Sequence, residues 1–289
     1  MTDIPPSDDR FANAIADPFV EVAAPDAASS TVSIDGTIAG VVTITINRPE
    51  KKNAFDEETI AALREAFETL HGADHVRVAF IRGAGGTFSA GADLDWMRRA
   101  AEWTEAENRD DAMNLARMLK ALYDVPCLTV ALVEGAAMGG GAGLVAACDL
   151  AVAVQGARFA FSEVKLGLIP ATISPYVVEA IGARQAKGLF CTGRLFDADH
   201  ARDIGLVQEV VPDAAGLEAA RQRIKRDALT AAPEAVAASK RLVRDVEHHR
   251  IDDGLMHETA KRIAKARVSD EGREGVRAFL EKRKPSWID

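Results

Sequence analysis

Glycine is concentrated at two places in this chain, and each could hold an anion. The first is Gly83-Ala84-Gly85-Gly86-Thr87-Phe88-Ser89-Ala90-Gly91-Ala92-Asp93-Leu94. The second is Gly135-Ala136-Ala137-Met138-Gly139-Gly140-Gly141-Ala142-Gly143. Each follows an apolar, strand-like run and leads into a helical pattern. Glycine costs backbone entropy, and it is tolerated where the chain needs positive φ or where something must approach the backbone closely. A helix opening in such a loop aims free N–H groups and the positive end of its dipole into it. The loops are therefore candidates to bind an oxyanion or a phosphate; the alternative is a tight turn between packed elements. Downstream, Ser162-Glu163-Val164 sets one carboxylate among Phe159, Phe161, Val164 and Leu166. It is either a surface or capping group or an acid/base, and buried unpaired carboxylates usually have a function.

The elements that must carry these residues follow from periodicity. Thr31 to Ile46 reads as a hairpin, with Val42-Thr43-Ile44-Thr45-Ile46 alternating and Asp35-Gly36 as the turn. Asn47-Arg48-Pro49 stops the strand. Asp56 caps a helix whose inner face is Ile60, Leu63, Phe67 and Leu70, and Gly72 ends it. Val76 to Ile81 is the strand before the first glycine loop, and Trp96 to Leu122 is mostly helical. Cys127 to Val133 is the strand before the second loop, and Leu144 to Cys148 is a short buried helix after it. Leu150–Val154 and Arg158–Phe161 read as strands. Ser174 caps a helix with Pro175 at its first position and Gly182 past its end. From Arg184 onward the pattern is helical apart from Val207 to Val211, and the last helix runs from Asp270 to Lys284. Strands alternating with helices predict an α/β core with parallel strands. The expected organisation is an N-terminal arm over 1–28, an α/β core over 29–215 and a helical C-terminal region over 216–289.

Composition narrows the function classes. The 289 residues are 48% hydrophobic and 27% charged, an ordinary globular balance. Thirty-five basic against 44 acidic side chains leave a net charge of −9, which disfavours nucleic acid as a partner. No apolar run is long enough to span a membrane. Residues 1–28 carry six carboxylates against Arg10, unlike a signal or transit peptide. Cys127, Cys148 and Cys191 show no CxxC spacing and read as reduced core residues of an intracellular, cytoplasmic protein. The six histidines have no zinc-ligand spacing.

Two motif readings compete at the second loop. Gly141-Ala142-Gly143-Leu144-Val145-Ala146 fits a GxGxxA dinucleotide fingerprint, with Glu163 downstream as the ribose carboxylate. The strand, however, ends near Val133, well short of Gly141, and several elements precede a motif that belongs in a first βαβ unit. The combined spacing fits something else better. Phe88 to Leu94, then Gly139-Gly140-Gly141, then Glu163, together resemble the crotonase (enoyl-CoA hydratase/isomerase) family. The resemblance runs from about Val41 to the C-terminus and includes Asn47-Arg48-Pro49, Asn53-Ala54, Cys148-Asp149 and Glu281-Lys282-Arg283-Lys284.

That resemblance implies an α/β fold, a crotonase-type spiral of ββα units with a helical C-terminal region, assembled as a homotrimer or homohexamer. It implies an acyl-CoA thioester as substrate, with no metal and no further cofactor, coenzyme A being part of the substrate. The Ala92 and Gly140 N–H groups would hold the thioester oxygen, and Glu163 would be the acid/base. Family hydratases commonly carry a second glutamate where this chain has Gly143. One glutamate is compatible with a hydratase or with a Δ3–Δ2 enoyl isomerase, and its loss also leaves open a non-catalytic acyl-CoA-binding member. The run Phe161 to Pro175, with glycine at 143, looks most like the methylglutaconyl-CoA hydratase branch of leucine or isoprenoid breakdown. The resemblance places coenzyme A along Arg48–Ala54 and along Ala90, Gly91, Asp93 and Leu94, with help from Lys51 and Lys52. It places Phe279 and Lys282 near a neighbouring subunit's phosphate, and Gly139, Gly143, Trp96 and Met97 around the acyl group. Lys165, Arg98 and Arg99 are candidate cations for a distal substrate carboxylate, or else solvated surface charges.

Overall fold

The computed structural model describes residues 31–36 and 40–288; the arm expected over 1–28 lies outside the described residues. In chain order the elements are β1 (Val32–Gly36), β2 (Val41–Ile46), α1 (Glu57–His71), β3 (Val78–Gly83), α2 (Leu94–Ala100), α3 (Glu105–Tyr123), β4 (Leu128–Val133), β5 (Ala136–Met138) and α4 (Gly140–Ala147). There follow β6 (Leu150–Val154), β7 (Arg158–Ala160), α5 (Ser174–Thr192), β8 (Phe196–Asp197), α6 (Ala198–Asp203) and β9 (Glu209–Val211). The chain closes with α7 (Ala214–Thr230), α8 (Pro233–Val246), α9 (Asp253–Val268) and α10 (Asp270–Glu281).

These strands form two sheets. The larger has the order β1-β2-β3-β4-β6-β9, parallel except for the β1–β2 hairpin. The smaller has the order β5-β7-β8. Two isolated parallel bridges, Ser89↔Ala137 and Phe55↔Ala92, extend the smaller sheet beyond β5. The chain therefore repeats one move. After β2 it visits the small sheet at Phe55 and enters α1; after β3 it does so at Ser89–Ala92 and enters α2. After β4 it forms β5 and enters α4, and after β6 it forms β7 and leads on to α5. This is the expected spiral of ββα units.

The sequence pattern explains the layering. β3 and β4 are buried along nearly their whole length and read as continuous apolar runs, as central parallel strands must. β2 alternates, with Ile44 and Ile46 buried and Thr43 and Thr45 half-buried. One core lies on the face covered by α1, α3, α4 and α5, and includes Ile60, Leu63 and Phe67. A second lies under α7, where Leu217, Ala220 and Ile224 meet Val78, Phe80, Val130 and Val152. The C-terminal helices are tied on by charge as well: Lys240 of α8 reaches Asp149 at 2.7 Å, and Arg244 reaches Asp124 at 2.7 Å.

Several expectations shift. Asp35 and Gly36 pair with Thr43 and Val42, so the reversal comes after them and not at them. The Trp96–Leu122 helix is two helices, because the Thr104–Glu107 capping box starts a new one. Ser174 Oγ donates to Ala171 O rather than capping α5. Gly182, at φ 75° and ψ 151°, ends the first helical segment as expected, and a second segment follows directly within the Ser174–Thr192 span of α5. The last helix stops at Glu281, since Lys282 takes a left-handed conformation at φ 56°. Cys127 is buried, but Cys191 is exposed and not a core residue. Among the described residues no helix is long and apolar enough to cross a membrane, and no three His, Cys, Asp or Glu side chains cluster as metal ligands would.

Candidate active site

The spiral gives Ala92 and Gly140 matching positions. Ser89 and Ala137 are bridged in parallel, and Ala92 and Gly140 each lie three residues further on, where the chain leaves the small sheet for a helix. The two loops are stitched together by Ser89 N–H to Ala136 O (2.9 Å) and Met138 N–H to Ser89 O (3.0 Å). The next unit crosses over by Gly139 N–H to Ala160 O (2.9 Å), and three residues past Ala160 stands Glu163. Ala92 and Gly140 thus occupy equivalent places in successive units, and Glu163 lies one residue past the corresponding place in the next, since Phe159 pairs with Ala137.

The first loop is held by polar side chains. Phe55 N–H donates to Gly91 O at 2.7 Å, and Asp93 N–H donates to Phe55 O at 2.8 Å. Both neighbours of Ala92 are tied to the Phe55 side, so the Ala92 N–H faces the other way, and among the described residues it has no acceptor. Asn53, fully buried, donates to Ala84 O (2.8 Å) and Thr87 O (2.6 Å) and accepts from Arg48 N–H (2.9 Å). Arg48 turns inward. Its guanidinium donates to Ala54 O at 2.6 Å and pairs with Asp56 at 2.9 Å and Asp93 at 3.1 Å. It clamps the loop from inside instead of presenting its charge to a ligand. Asp93 also caps α2, accepting from Asp95 N–H at 2.8 Å. Burial pushes its carboxyl up, but the Asp95 and Trp96 N–H groups and Arg48 outweigh that and hold it below its ordinary value.

The second loop is held by the absence of side chains. Gly139 sits at φ 48° and ψ −116°, a conformation open to glycine, and it starts α4. A Cβ on Gly140 would come 3.2 Å from the Phe55 ring. At Gly143 a Cβ would come 2.6 Å from Ile173 Cβ and overlap Ile173 Cγ2. The position where family hydratases carry a second glutamate is therefore filled from outside by Ile173. Gly140 is the first residue of α4, so its N–H has no intrahelical partner, and it finds no acceptor elsewhere among the described residues.

Glu163 opens a 3-10 turn, Glu163–Leu166, beside this helix. Its Oε1 would lie 3.2 Å from a Cβ on Gly139, which places the carboxylate against the N-terminus of α4. Its Oε2 is buried and has no hydrogen-bond partner among the described residues. Burial raises the carboxyl above its ordinary value, opposed in part by its own backbone N–H. The site thus joins two unspent N–H donors to one unspent carboxylate.

A family model for enoyl-CoA hydratase/isomerase matches residues 36–289. The chain belongs to that family. A solved Legionella pneumophila chain assigned to the enoyl-CoA hydratases/isomerases (crotonases) is 46% identical with a TM-score of 0.84, over 89% of this chain and 99% of that one. Carnitinyl-CoA dehydratase of Salmonella arizonae is 34% identical over 86% of this chain and 94% of its own length. The 1,2-epoxyphenylacetyl-CoA isomerase of Escherichia coli is 32% identical over 86% of this chain and 95% of its own. The chain therefore has the crotonase fold and a crotonase-type enzyme's relationship to CoA thioesters, while its relatives differ in the reaction itself.

The remaining candidates fall into three groups. Ala90 and Ala54 lie where the two segments meet, with Ala90 N–H donating to Lys52 O at 2.9 Å, and Leu94 is exposed beside them. Trp96 packs half-buried against the core. Phe279 is 82% exposed and Lys282 stands beside it, far along the chain from the loops. Arg98 and Arg99 are occupied by Asp95 (2.6 Å) and Glu57 (2.7 Å). Lys165 is exposed, its stem lying along Gly193. Sequence reading gave Phe55 and Ile173 no part in the site, and named Ser89 only as a member of the first loop. None lies on a periodic element, so only three-dimensional proximity reveals them.

Proposed function

We propose that the protein adds water across the α,β-double bond of an enoyl-CoA thioester, with a branched, methylglutaconyl-type acyl group as substrate class. The observation carrying this is the buried, unpartnered Oε2 of Glu163 beside the start of α4. Such a group is costly to keep unless something that donates a proton comes to it. In the reaction, Glu163 takes a proton from water as the water oxygen bonds to Cβ. The double-bond electrons move toward the thioester, and negative charge builds on its oxygen. The Ala92 and Gly140 N–H groups receive that charge, fixed in advance by the bridged loops, and losing one such donor typically costs about 10²–10³ in rate. The proton on Glu163 then passes to Cα, which completes the addition and restores the carboxylate. The raised carboxyl suits a group that must accept a proton and give it back.

A second reading rests on Ile173. Because it fills the space over Gly143, only one carboxylate is available, and one is enough to carry a proton between C2 and C4 of a 3-enoyl thioester. Ultraviolet loss of the conjugated thioester separates the two readings, with crotonyl-CoA and 3-methylglutaconyl-CoA offered in parallel. Fast loss that Glu163→Gln lowers by about 10² or more is the expected result. No loss with either, together with conversion of a 3-enoyl-CoA into a conjugated product, overturns hydration in favour of isomerisation.

A further inference from the structure

A carboxylate and an isoleucine share one face of α4. Gly143 N–H donates to Gly139 O at 2.9 Å, so these two bare positions lie one helical turn apart on the same side. Glu163 Oε1 stands over the first, and Ile173 covers the second. The two side chains therefore stand over adjacent positions along the same face of the helix. Gly140, whose N–H faces the thioester oxygen in the proposed function, opens the same helix. An acyl group with its oxygen at Gly140 and its Cα and Cβ beside Glu163 meets Ile173 next.

We propose that Ile173 is a specificity-determining residue that bounds the room for substituents at the acyl Cβ. Its build suits a wall. It is 2% exposed and β-branched, hence stiff at χ1. It is also fixed at the mouth of α5, where its carbonyl accepts from Val177 N–H at 3.1 Å. It comes from a later unit than α4, so its position is set by packing between units and not by the glycine loop. The inference rests on the reading of Glu163, Ala92 and Gly140 as the acyl site.

The test is calorimetric binding of butyryl-CoA and 3-methylbutyryl-CoA to the full chain. These differ by one methyl at Cβ, and neither has a double bond to hydrate. In Ile173→Ala the affinity ratio shifts toward the branched thioester by about tenfold, the usual worth of a methyl group's space in an apolar pocket. In Ile173→Val, the variant less exposed to misfolding, it shifts the same way by less. A ratio equal to wild type in both variants, with only the melting temperature lowered, overturns the proposal and leaves Ile173 as packing. A wild type that binds both thioesters but turns over no enoyl-CoA removes the hydratase reading while the ratio still decides this one. A wild type that binds neither overturns the inference too.

Discussion

The two glycine loops do one job by different balances of means: both press bare glycines against their surroundings, and the first is also clamped by charged and amide side chains. Each presents a single backbone N–H at the start of a helix, from matching positions on the two sides of the Ser89↔Ala137 bridge. The loop at 83–94 is held by polar groups: Asn53, Arg48 and Asp93 satisfy its backbone and one another. The loop at 135–143 is held by steric closeness, with Phe55, Glu163 and Ile173 pressed against bare glycines. An electrostatic clamp should yield to charge and pH, whereas a steric one should yield to volume.

The largest effect is expected from emptying the clamp. Arg48→Leu leaves Asp93 and Asp56 without their shared cation, and breaking such a buried pair costs about 3 kcal/mol. Chemical denaturation measures this, and kcat should fall more than KM rises, because the Ala92 N–H is misplaced while the second loop is intact. A variant with unchanged kcat would show that the bridges at Phe55 and Ser89 hold the first loop unaided. Next comes Gly143→Ala, whose methyl must displace Ile173, an overpacking cost of about 1–3 kcal/mol. Adding Ile173→Ala, which removes the overlapping Cγ2, should recover part of the loss, since residues in contact couple. No recovery would place the strain elsewhere.

Smaller effects come from titration, and their signs differ between the two loops. Asp93 is held below its ordinary value, so it adds stability above the unfolded carboxyl's pKa, and that stability is lost as pH falls through the folded value. Melting temperature should therefore drop in acid, and Asp93→Asn should flatten that drop. Glu163 is raised, so its ionisation works against folding as pH climbs from the unfolded value through the folded one. The same ionisation arms the base, so kcat/KM should rise with pH through the raised value and then level off. Glu163→Gln should lose that rise and melt no lower than wild type at neutral pH. The smallest effect belongs to Lys51→Ala: its exposed pair with Asp95 should leave the melting temperature where it is.

Much of this was legible in sequence because the responsible forces are local. The inner face of α1, its Asp56 cap and the continuous apolar runs of β3 and β4 follow from periodicity and capping, which act within a few residues. The reversal near Asp35-Gly36 was misplaced because a glycine permits a turn without requiring one at that residue.

The candidate site divides in the same way. The glycines, Glu163 and the missing second carboxylate at Gly143 are chemical facts of the chain, and their order is enough to indicate the family. Other properties arise only when separate ββα units are laid side by side. The inward turn of Arg48, the free direction of the Ala92 N–H, the unpartnered oxygen of Glu163 and the seat of Ile173 on Gly143 each depend on residues far apart in sequence. Sequence determined which groups this protein has for its chemistry. Tertiary structure decided which are already spent on one another and which are left for a ligand, because hydrogen bonds and steric exclusion are settled by contact and not by order along the chain.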